Sequence, residues 1–482
     1  MATTTEAKPR HPKGLSVLFF TEMWERFGFY TMLGIFTLYL DEYFHFSNKG
    51  EIYGNFLMFV YFTPIFGGMI ADRVGFRRTI LTGAVLMMIG YAMIAFPIPE
   101  EPSNEMVVRQ REIAHEQTVT DFERRYEAAQ AAAAATGEKF QWTEQRPVYE
   151  GPGRTSGRWL FFAALTVLVA GNGLFKPNIS VMVGNLYPEG SPLKDSAFNI
   201  FYMGINIGAW AAPLTAAWLR NTVGWSWAFG SAALGMLFSI IIFQAFRRHV
   251  MQAEIGRGKD STVQVAEMPR EEFRARIGAL ITIFLIVIVF WMSFHQNGFT
   301  MTLLARDNMG SIFGWDIPAE VYAAFNPFFV VALTPLLVLF WAQLRRRGKE
   351  PSTPGKMAIG MLLTAAAFFI LGVAGLAGAN YVKVSPMWLI SSYAVVTLGE
   401  LCLSPMGLSF VSKVAPAKVR GLMMGCWFGA TAIGNKLAGA IEPFWDEWLH
   451  STFFFFLVAM CVLMAGVLFI FLGRLKRATA GH

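Results

Sequence analysis

Three ionisable side chains lie inside the first long apolar run of the chain, at about residues 15–40. Glu22, Glu25 and Arg26 fall within about one helical turn of that run. A helix needs roughly 20 apolar residues to cross about 30 Å of hydrocarbon, and an ionisable group near its centre costs at least a few kcal/mol unless it faces protein or water. At about 100° per residue, the three charges share one broad face with Tyr30. We therefore predict a membrane helix whose charged face is a functional site.

The composition agrees with a polytopic membrane protein. Of 482 residues, 54% are hydrophobic and only 15% are charged, which is far from the balance of soluble domains. The formal charge of +7 does not indicate nucleic acid, because Lys and Arg lie mostly in short links between apolar runs, where they orient membrane helices. The three cysteines lie in apolar surroundings without metal-ligand spacing. We expect no cofactor, metal or nucleic-acid partner, and a lipid bilayer as the surroundings.

Twelve apolar runs are long enough to predict transmembrane helices. They lie at about residues 15–40, 52–70, 79–97, 158–186, 194–219, 225–246, 273–304, 320–344, 356–378, 386–411, 420–441 and 452–472. The predicted organisation is an N-terminal tail (1–13), a six-helix bundle (14–246), a linker (247–272), a second six-helix bundle (273–473) and a C-terminal tail (474–482). The charged insert at 100–157 indicates one or two soluble helices. An outer cap, a partner-docking helix hairpin and a neutral addition all fit it, and it contains no catalytic or metal-ligand spacing.

The distribution of positive charge predicts the orientation. Lys and Arg are concentrated in the links on the side of both termini, including Arg345, Arg346 and Arg347, and such links stay in the cytoplasm. We therefore expect a multi-pass protein of the cell inner (plasma) membrane with cytoplasmic termini and an outward-facing insert. Two six-helix halves with a cytoplasmic linker are the layout of a secondary transporter whose substrate site lies near the midplane between the halves. The pattern Gly-x-x-x-Asp-Arg-x-Gly-x-Arg-Arg, from Gly68 to Arg78, resembles the signature of the major facilitator superfamily.

Further polar residues interrupt the other apolar runs. Lys176 lies deep in the fourth run, directly before Pro177, although a lysine near a helix end can also extend to the headgroups. Asn206 lies in the fifth run, where one helix-to-helix hydrogen bond would explain it. Glu400 lies in the tenth run, with Ser404 one turn later.

Together these residues resemble the proton-coupled oligopeptide transporter (POT) family of the major facilitator superfamily. The family pattern Glu-x-x-Glu-Arg-Phe-x-Tyr-Tyr matches at Glu22, Glu25, Arg26, Phe27 and Tyr30. The pattern Phe-Tyr-x-x-x-Asn-x-Gly matches from Phe201 to Gly208. Other family-like segments contain Tyr61, Pro64, Lys176, Asn326, Pro351, Pro354, Glu400, Ser404, Gly407, Trp427, Gly434 and Asn435. The resemblance implies an all-α polytopic membrane protein with the major facilitator fold, and proton-driven uptake of dipeptides and tripeptides.

A zwitterionic peptide needs a cation for its carboxylate and an acid for its ammonium. Arg26 and Lys176 in the first half, with Glu400 in the second, suit those two ends. The expected substrate-binding residues are Arg26, Tyr30, Tyr61, Lys176, Asn206, Trp291, Asn326, Glu400, Ser404, Trp427 and Asn435, although each aromatic taken alone fits helix packing equally well. Partly desolvated carboxylates beside a cation suit proton coupling, so we expect protonation of Glu22 or Glu25 to release Arg26 or Lys176 for the peptide.

Three positions depart from the family pattern. Phe29 replaces the first tyrosine of the helix 1 motif, and Leu33 and His295 replace the arginine and the acid that resemble a gate pair in the family. Losing both partners avoids a stranded charge. His295 titrates near neutral pH when unperturbed, so it is a further candidate for proton coupling, the alternative being a neutral histidine hydrogen-bonded between helices.

Other functions remain open. A major facilitator carrier for another substrate, such as nitrate or a drug, would keep the fold, and a nontransporting peptide sensor would keep the binding residues. A membrane hydrolase is disfavoured, because the sequence contains no His-Glu-x-x-His, no Gly-x-Ser-x-Gly and no paired intramembrane Asp. We expect a carrier that is not an enzyme, acts as a monomer and has protons and di- or tripeptides as its ligands.

Overall fold

The computed structural model describes residues 11–96, 98–136, 140, 142, 144, 147, 149, 151–187, 194–254, 269–416 and 419–479. The predicted N-terminal tail lies outside the described residues except for 11–13, as do 255–268 of the predicted linker and 480–482 of the C-terminal tail. The described chain is helical, and its only β pairings are isolated bridges such as Met309 with Val384.

The helices follow the order of the apolar runs. In chain order they are α1 (Lys13–Leu38), α2 (Lys49–Phe62), α3 (Pro64–Val74), α4 (Phe76–Ala95), α5 (Pro102–Thr136), α6 (Arg158–Asn185), α7 (Lys194–Thr222), α8 (Trp225–Ala245), α9 (Arg270–Phe294), α10 (Thr300–Asn308), α11 (Phe325–Arg346), α12 (Thr353–Ala374), α13 (Met387–Val414), α14 (Arg420–Ala440), α15 (Glu442–Glu447) and α16 (His450–Thr479). The insert supplies one helix, α5, which carries mostly polar residues.

Ten of the predicted spans are long and apolar enough to cross a membrane within the described residues. The other two predicted spans are α1 and α14. Glu22, Glu25 and Arg26 give the middle of α1 more charge than the apolar stretches of those ten spans, and Asn435 and Lys436 lower the hydropathy of α14.

Two predicted helices are interrupted. The predicted helix at 52–70 divides into α2 and α3, because Pro64 has no amide hydrogen to continue the backbone ladder. The predicted helix at 273–304 divides into α9 and α10 around a 3₁₀ turn, His295–Gly298. The Thr37 hydroxyl donates to the Gly298 carbonyl (2.7 Å), and the Tyr393 hydroxyl donates to the Asn297 carbonyl (3.1 Å). Side-chain donors thus replace helical bonds at this turn.

The chain divides into two compact units. The first contains residues 1–32, 63–96 and 161–263. Its helices approach closely at glycines: a Cβ on Gly208 would lie 2.3 Å from the Met23 carbonyl oxygen, and one on Gly67 would lie 1.8 Å from the Gly173 carbonyl oxygen. Small residues permit such backbone contact in membrane helices. Gly208 therefore holds α7 directly against the charged part of α1.

The second unit contains residues 33–62, 97–160 and 264–482. Its core lies between α9, α12, α13, α14 and α16, where Phe290, Met357, Phe410 and Leu468 are fully buried. Helix α2 packs on α14 at another glycine contact, since a Cβ on Gly439 would lie 1.9 Å from the Gly50 carbonyl oxygen. The insert also belongs to this unit.

Candidate functional site

The charged face of α1 is buried inside the first unit. Glu22, Glu25 and Arg26 are at most 3% exposed. The Arg26 guanidinium donates through Nε and Nη2 to the two oxygens of Glu25, the second bond measuring 2.6 Å, and its Nε lies 3.2 Å from Glu22 Oε1. One arginine therefore binds both carboxylates: Glu22 lies one helical turn before it, and Glu25 is its neighbour in the sequence.

Lys176 joins this cluster from α6. Its charge interacts with Glu22, Glu25 and Arg26, so four charged groups, two of each sign, share one buried region. Such groups inside a membrane helix normally mark a substrate or proton pathway. The helix continues through Pro177, and the Asn178 side chain donates to the carbonyls of Leu174 (2.7 Å) and Gly67 (3.1 Å).

Aromatic side chains surround Arg26. Phe29 is buried, with the guanidinium 5.1 Å from its ring centroid, and Tyr30 packs edge-on against Phe29. Tyr91 of α4 is fully buried and interacts electrostatically with Glu25 and Arg26. The sequence analysis missed Tyr91, because a single tyrosine in an apolar run resembles a packing residue. Its only signal is the phenol in the middle of a span.

Asn206 has a local role in α7. Its side-chain amide donates to the Tyr202 carbonyl (2.9 Å), one turn back, and the residue is 6% exposed. Gly208, in the same family-like motif, makes the close contact with Met23. The motif therefore combines a helix-packing glycine with an amide that donates to the carbonyl one turn back in its own helix.

Glu400 is the intramembrane carboxylate of α13 in the second unit. The Asn326 side chain of α11 donates to Glu400 Oε2 (2.9 Å) and lies 3.0 Å from the Thr397 hydroxyl. Asn326, one of the residues expected to bind substrate, thus orients Glu400. Ser404 follows one turn later on α13, next to Pro405.

Asn435 is the buried amide of α14. It is fully buried, and neither Nδ2 nor Oδ1 has a hydrogen-bond partner among the described residues. Unpaired buried amides are rare and call for a ligand or water. Trp427, on the same helix, is 2% exposed and packs against α13, where a Cβ on Gly407 would lie 1.9 Å from its ring.

His295 lies at the break between α9 and α10, among aromatic rings. It stacks on Trp291 at 5.4 Å between ring centroids and meets Tyr61 edge-on at 6.0 Å. The predicted residues Tyr61, Trp291 and His295 therefore form one cluster.

A second charged cluster, which we call the rim network, lies in the second unit at the end of α1. Arg306 binds Asp41, Glu42 and Asp307, the Nη2–Oδ2 distance to Asp307 being 2.9 Å. Lys49 lies 3.3–3.5 Å from carboxylate oxygens on three residues, Asp41, Glu442 and Asp446. The sequence did not predict this network, because pairs such as Arg306 with Asp41 and Lys49 with Asp446, 265 and 397 positions apart, leave no local pattern.

Two carboxylates of the rim network have shifted pKa values in opposite directions. Burial disfavours ionisation of Asp41, but the charges of Arg306 and Lys49 outweigh it and lower its pKa to about 2. Burial dominates at Glu442 and raises its pKa to about 7, despite Lys49 and a bond from the Gly50 amide (2.9 Å). Near neutral pH, Asp41 is therefore ionised, whereas Glu442 can bind a proton.

The fold matches solved transporters along nearly its whole length. A mutant of peptide transporter POT in complex with alafosfalin superposes with a TM-score of 0.79 at 25% identity, covering 99% of this chain and 97% of that one. A POT family transporter in complex with 5-aminolevulinic acid gives 0.78 at 23% identity, with 98% of each chain covered. The protein is thus an all-α, multi-pass membrane protein with the major facilitator fold of two six-helix bundles, as predicted.

The sequence comparisons give the family. A model described as the POT family matches residues 77–269 and 255–455, and this chain belongs to that family. It is 29% identical to the peptide transporter YePEPT of Yersinia enterocolitica, with 89% of this chain and 87% of that protein covered. It is 26% identical to dipeptide and tripeptide permease A of Escherichia coli, with coverages of 90% and 84%, and 27% identical to the uncharacterized transporter YclF of Bacillus subtilis, with coverages of 98% and 96%. The relatives named by substrate are peptide transporters.

Proposed function

We propose that this protein is a proton-coupled symporter that imports dipeptides and tripeptides across the cell inner membrane by alternating access. The observation that carries the proposal is the buried cluster of Glu22, Glu25 and Arg26 with Lys176. It supplies two cations for a peptide carboxylate and two carboxylates that can hold protons. The peptide permeases among the relatives support the substrate class.

Recognition of the peptide termini follows from charge. Arg26 and Lys176 bind the carboxylate, and Glu400, which Asn326 orients, binds the ammonium. Asn435 can bind a backbone amide of the peptide, since its own amide is buried without a partner among the described residues. Variable side chains need walls that make few directional demands, and the remaining lining residues are Tyr30, Tyr61, Asn206, Trp291, Ser404 and Trp427.

Proton coupling uses competition for the two cations. While Glu22 and Glu25 are ionised, they occupy Arg26 and attract Lys176. A proton on either carboxylate removes one negative charge, and the cation it released becomes available for the peptide carboxylate. Loss of the proton on the cytoplasmic side restores the ion pair and expels the peptide. His295 is a further proton-coupling residue in this scheme.

A single proton per peptide suffices for accumulation. One charge that moves through 100 mV gains about 2.3 kcal/mol, which corresponds to roughly fiftyfold accumulation at about 1.4 kcal/mol per tenfold. A pH gradient adds to this.

The test is uptake into liposomes. Purified protein is reconstituted, an inward proton gradient is imposed, and labelled dialanine or trialanine is followed over time. We expect concentrative uptake that a protonophore collapses. The variant Glu22→Gln/Glu25→Gln should lose uphill uptake but keep peptide exchange; normal uphill uptake by this variant would contradict the coupling scheme.

The same assay separates the alternatives. A carrier for nitrate or a drug would show no uptake of either peptide and no competition by them. A nontransporting sensor would bind dialanine in detergent without any proton-dependent accumulation. The proposed arrangement also includes both termini and the linker (247–272) in the cytoplasm, bundles at 14–246 and 273–473, and a monomer.

A further inference from the structure

The insert between α4 and α6 is closed at its base by a carboxylate. Glu100 Oε2 accepts from the backbone amides of Thr155 (3.0 Å) and Ser156 (3.1 Å), and Oε1 accepts from both hydroxyls. These bonds join the two ends of the insert, so α5 projects from a fixed root.

The near part of the insert holds the loop that follows α1. His45 Nε2 lies 2.9 Å from Glu112 Oε1, and the His45 ring stacks on Tyr149 at 4.1 Å. The Arg158 guanidinium lies 4.6 Å from the centroid of Phe46. These partners all come from the first half of the sequence, so they attach the insert to its own half.

The far part of the insert contacts a residue from the second half of the sequence, Tyr381. Phe122 and Tyr126 are 1% and 3% exposed on an otherwise polar helix. The Tyr126 ring stacks on Tyr381 at 5.3 Å, and the Tyr381 hydroxyl donates to the Trp142 carbonyl (3.2 Å). We call Phe122, Tyr126, Trp142 and Tyr381 the aromatic clasp.

Tyr381 belongs to a loop that is fixed on both sides. The Asn380 side chain exchanges two hydrogen bonds with Ser451, at the start of α16. The Val384 amide donates to the Asn308 carbonyl, and its carbonyl accepts from the Gly310 amide, both at 2.8 Å. Hydrogen bonds therefore join the loop that carries Tyr381 to the end of α10 and to the start of α16.

The insert covers a large cavity. Its volume is about 1070 Å³, comparable to the larger small-molecule sites of proteins. The α5 residues Glu112, Glu116, Thr120 and Glu123 line it at spacings of three and four, which place them on one helix face. The opposite walls carry Trp445 and, from the rim network, Asp41, Lys49, Arg306 and Asp446.

We propose that the insert is a latch, whose aromatic clasp opens and closes in each transport cycle to admit peptide to the cavity beneath it. The inference rests on the proposed transport function. In this structure the insert, the loop after α1 and the Tyr381 loop lie in one compact unit. In the sequence, however, the insert belongs to the first of the two proposed six-helix bundles and Tyr381 to the second, and alternating access moves one bundle against the other. A link of this kind either opens during the cycle or stops it.

Reversible crosslinking tests the latch. In a background with Cys402, Cys426 and Cys461 replaced by Ala, the pair Tyr126→Cys/Tyr381→Cys is joined by a short bis-methanethiosulfonate reagent. Proton-driven uptake of labelled dialanine should fall at least tenfold and return after reduction. The matched control is Tyr126→Cys/Phe140→Cys, whose native rings lie 5.2 Å apart within the insert. Crosslinking there should leave uptake unchanged.

Full uptake by the crosslinked clasp pair would overturn the latch. Absence of uptake by the uncrosslinked cysteine-free parent would contradict the transport function instead, so the two failures differ.

A second measurement leaves the clasp intact. Spin labels at the exposed positions Gln130→Cys and Lys383→Cys report the distance between α5 and the loop by pulsed electron resonance. We expect two distances, with populations that shift by at least twofold on adding dialanine or lowering the pH. One distance under all conditions would overturn the latch.

Discussion

Arg26 and Arg306 each bind several carboxylates, yet they lie in very different surroundings. The Arg26 side chain is 4% exposed and its carboxylate partners are at most 3% exposed, whereas the Arg306 side chain is 29% exposed and its partners 23–28%. Arg26 lies in the middle of a membrane helix of the first unit. Arg306 lies near the end of α10 in the second unit.

The difference in burial indicates a functional role for the Arg26 cluster and a structural role for the Arg306 cluster. A buried ion pair gains little net free energy because desolvation offsets attraction, but the loss of one partner strands the other at a cost of about 3–5 kcal/mol. An exposed pair contributes about 0–1 kcal/mol. A buried cluster is thus a poor way to stabilise a fold and a sensitive way to detect a proton or a peptide carboxylate. In the rim network, an arginine or lysine can exchange one carboxylate partner for another at a small cost in free energy.

The first prediction tests the difference between the two arginines by removing each one in turn. Arg26→Ala strands Glu22 and Glu25 and should abolish dialanine uptake and destabilise the protein by about 3–5 kcal/mol at neutral pH. Arg306→Ala should cost about 1 kcal/mol, since its carboxylates reach water and Asp41 keeps Lys49. Thermal unfolding in detergent and liposome uptake measure both effects.

Equal losses for the two variants would show that burial does not distinguish the two sites. A partial recovery of Arg26→Ala stability on acidification would support the distinction, because protonation neutralises the stranded carboxylates. Arg306→Ala should show a smaller recovery, since its carboxylates are 23–28% exposed and Asp41 keeps Lys49 as a partner.

The second prediction concerns Glu442, the one rim carboxylate that resembles the buried cluster. Burial raises its pKa to about 7, above 4.5 for the ordinary group. The folded protein therefore keeps this proton longer than the unfolded chain does. The resulting stability is complete below pH 4.5 and is lost as the pH rises through 7, by about 1–3 kcal/mol.

Glu442→Gln imitates the protonated acid and should flatten this part of the stability profile between pH 5 and 8. Unfolding midpoints of the wild type and the variant measure the difference. The matched control is Asp41→Asn, since the Asp41 pKa of about 2 contributes no titration in that window. Parallel profiles for wild type and Glu442→Gln would contradict the prediction.

The third prediction concerns Glu400, a carboxylate whose hydrogen-bond partner is neutral. Glu400 accepts a hydrogen bond from Asn326, and Glu400→Gln preserves an oxygen for that bond while removing the charge. If Glu400 binds the peptide ammonium, the affinity for dialanine should fall about tenfold, or about 1.4 kcal/mol. The affinity for N-acetyl-dialanine, which has no ammonium, should not change. Competition uptake measures both, and an equal loss for the two ligands would assign Glu400 a structural role.

Patterns within a single helix were predictable from the sequence, but long-range pairings were not. The spacing of Glu22, Glu25 and Arg26 determines that they share a face, and the structure confirms their contact. The predicted continuity at residues 273–304 was wrong, because the bonds that replace the helical ones at Asn297 and Gly298 come from Tyr393 and Thr37. The rim network was missed for the same reason.

The last prediction concerns His295, whose ring packs against the rings of Trp291 and Tyr61. If it shares proton handling, His295→Gln, which keeps a polar side chain, should shift the pH optimum of uptake while changing the maximum rate by less than about threefold, below about 0.7 kcal/mol. Trp291→Phe is the matched control, because it alters the stacking ring but no titratable group. An unchanged pH profile in His295→Gln, together with normal uptake, would make His295 a packing residue and leave proton coupling to the α1 cluster alone. A shift found equally in Trp291→Phe would assign the effect to stacking, since that substitution leaves the imidazole in place.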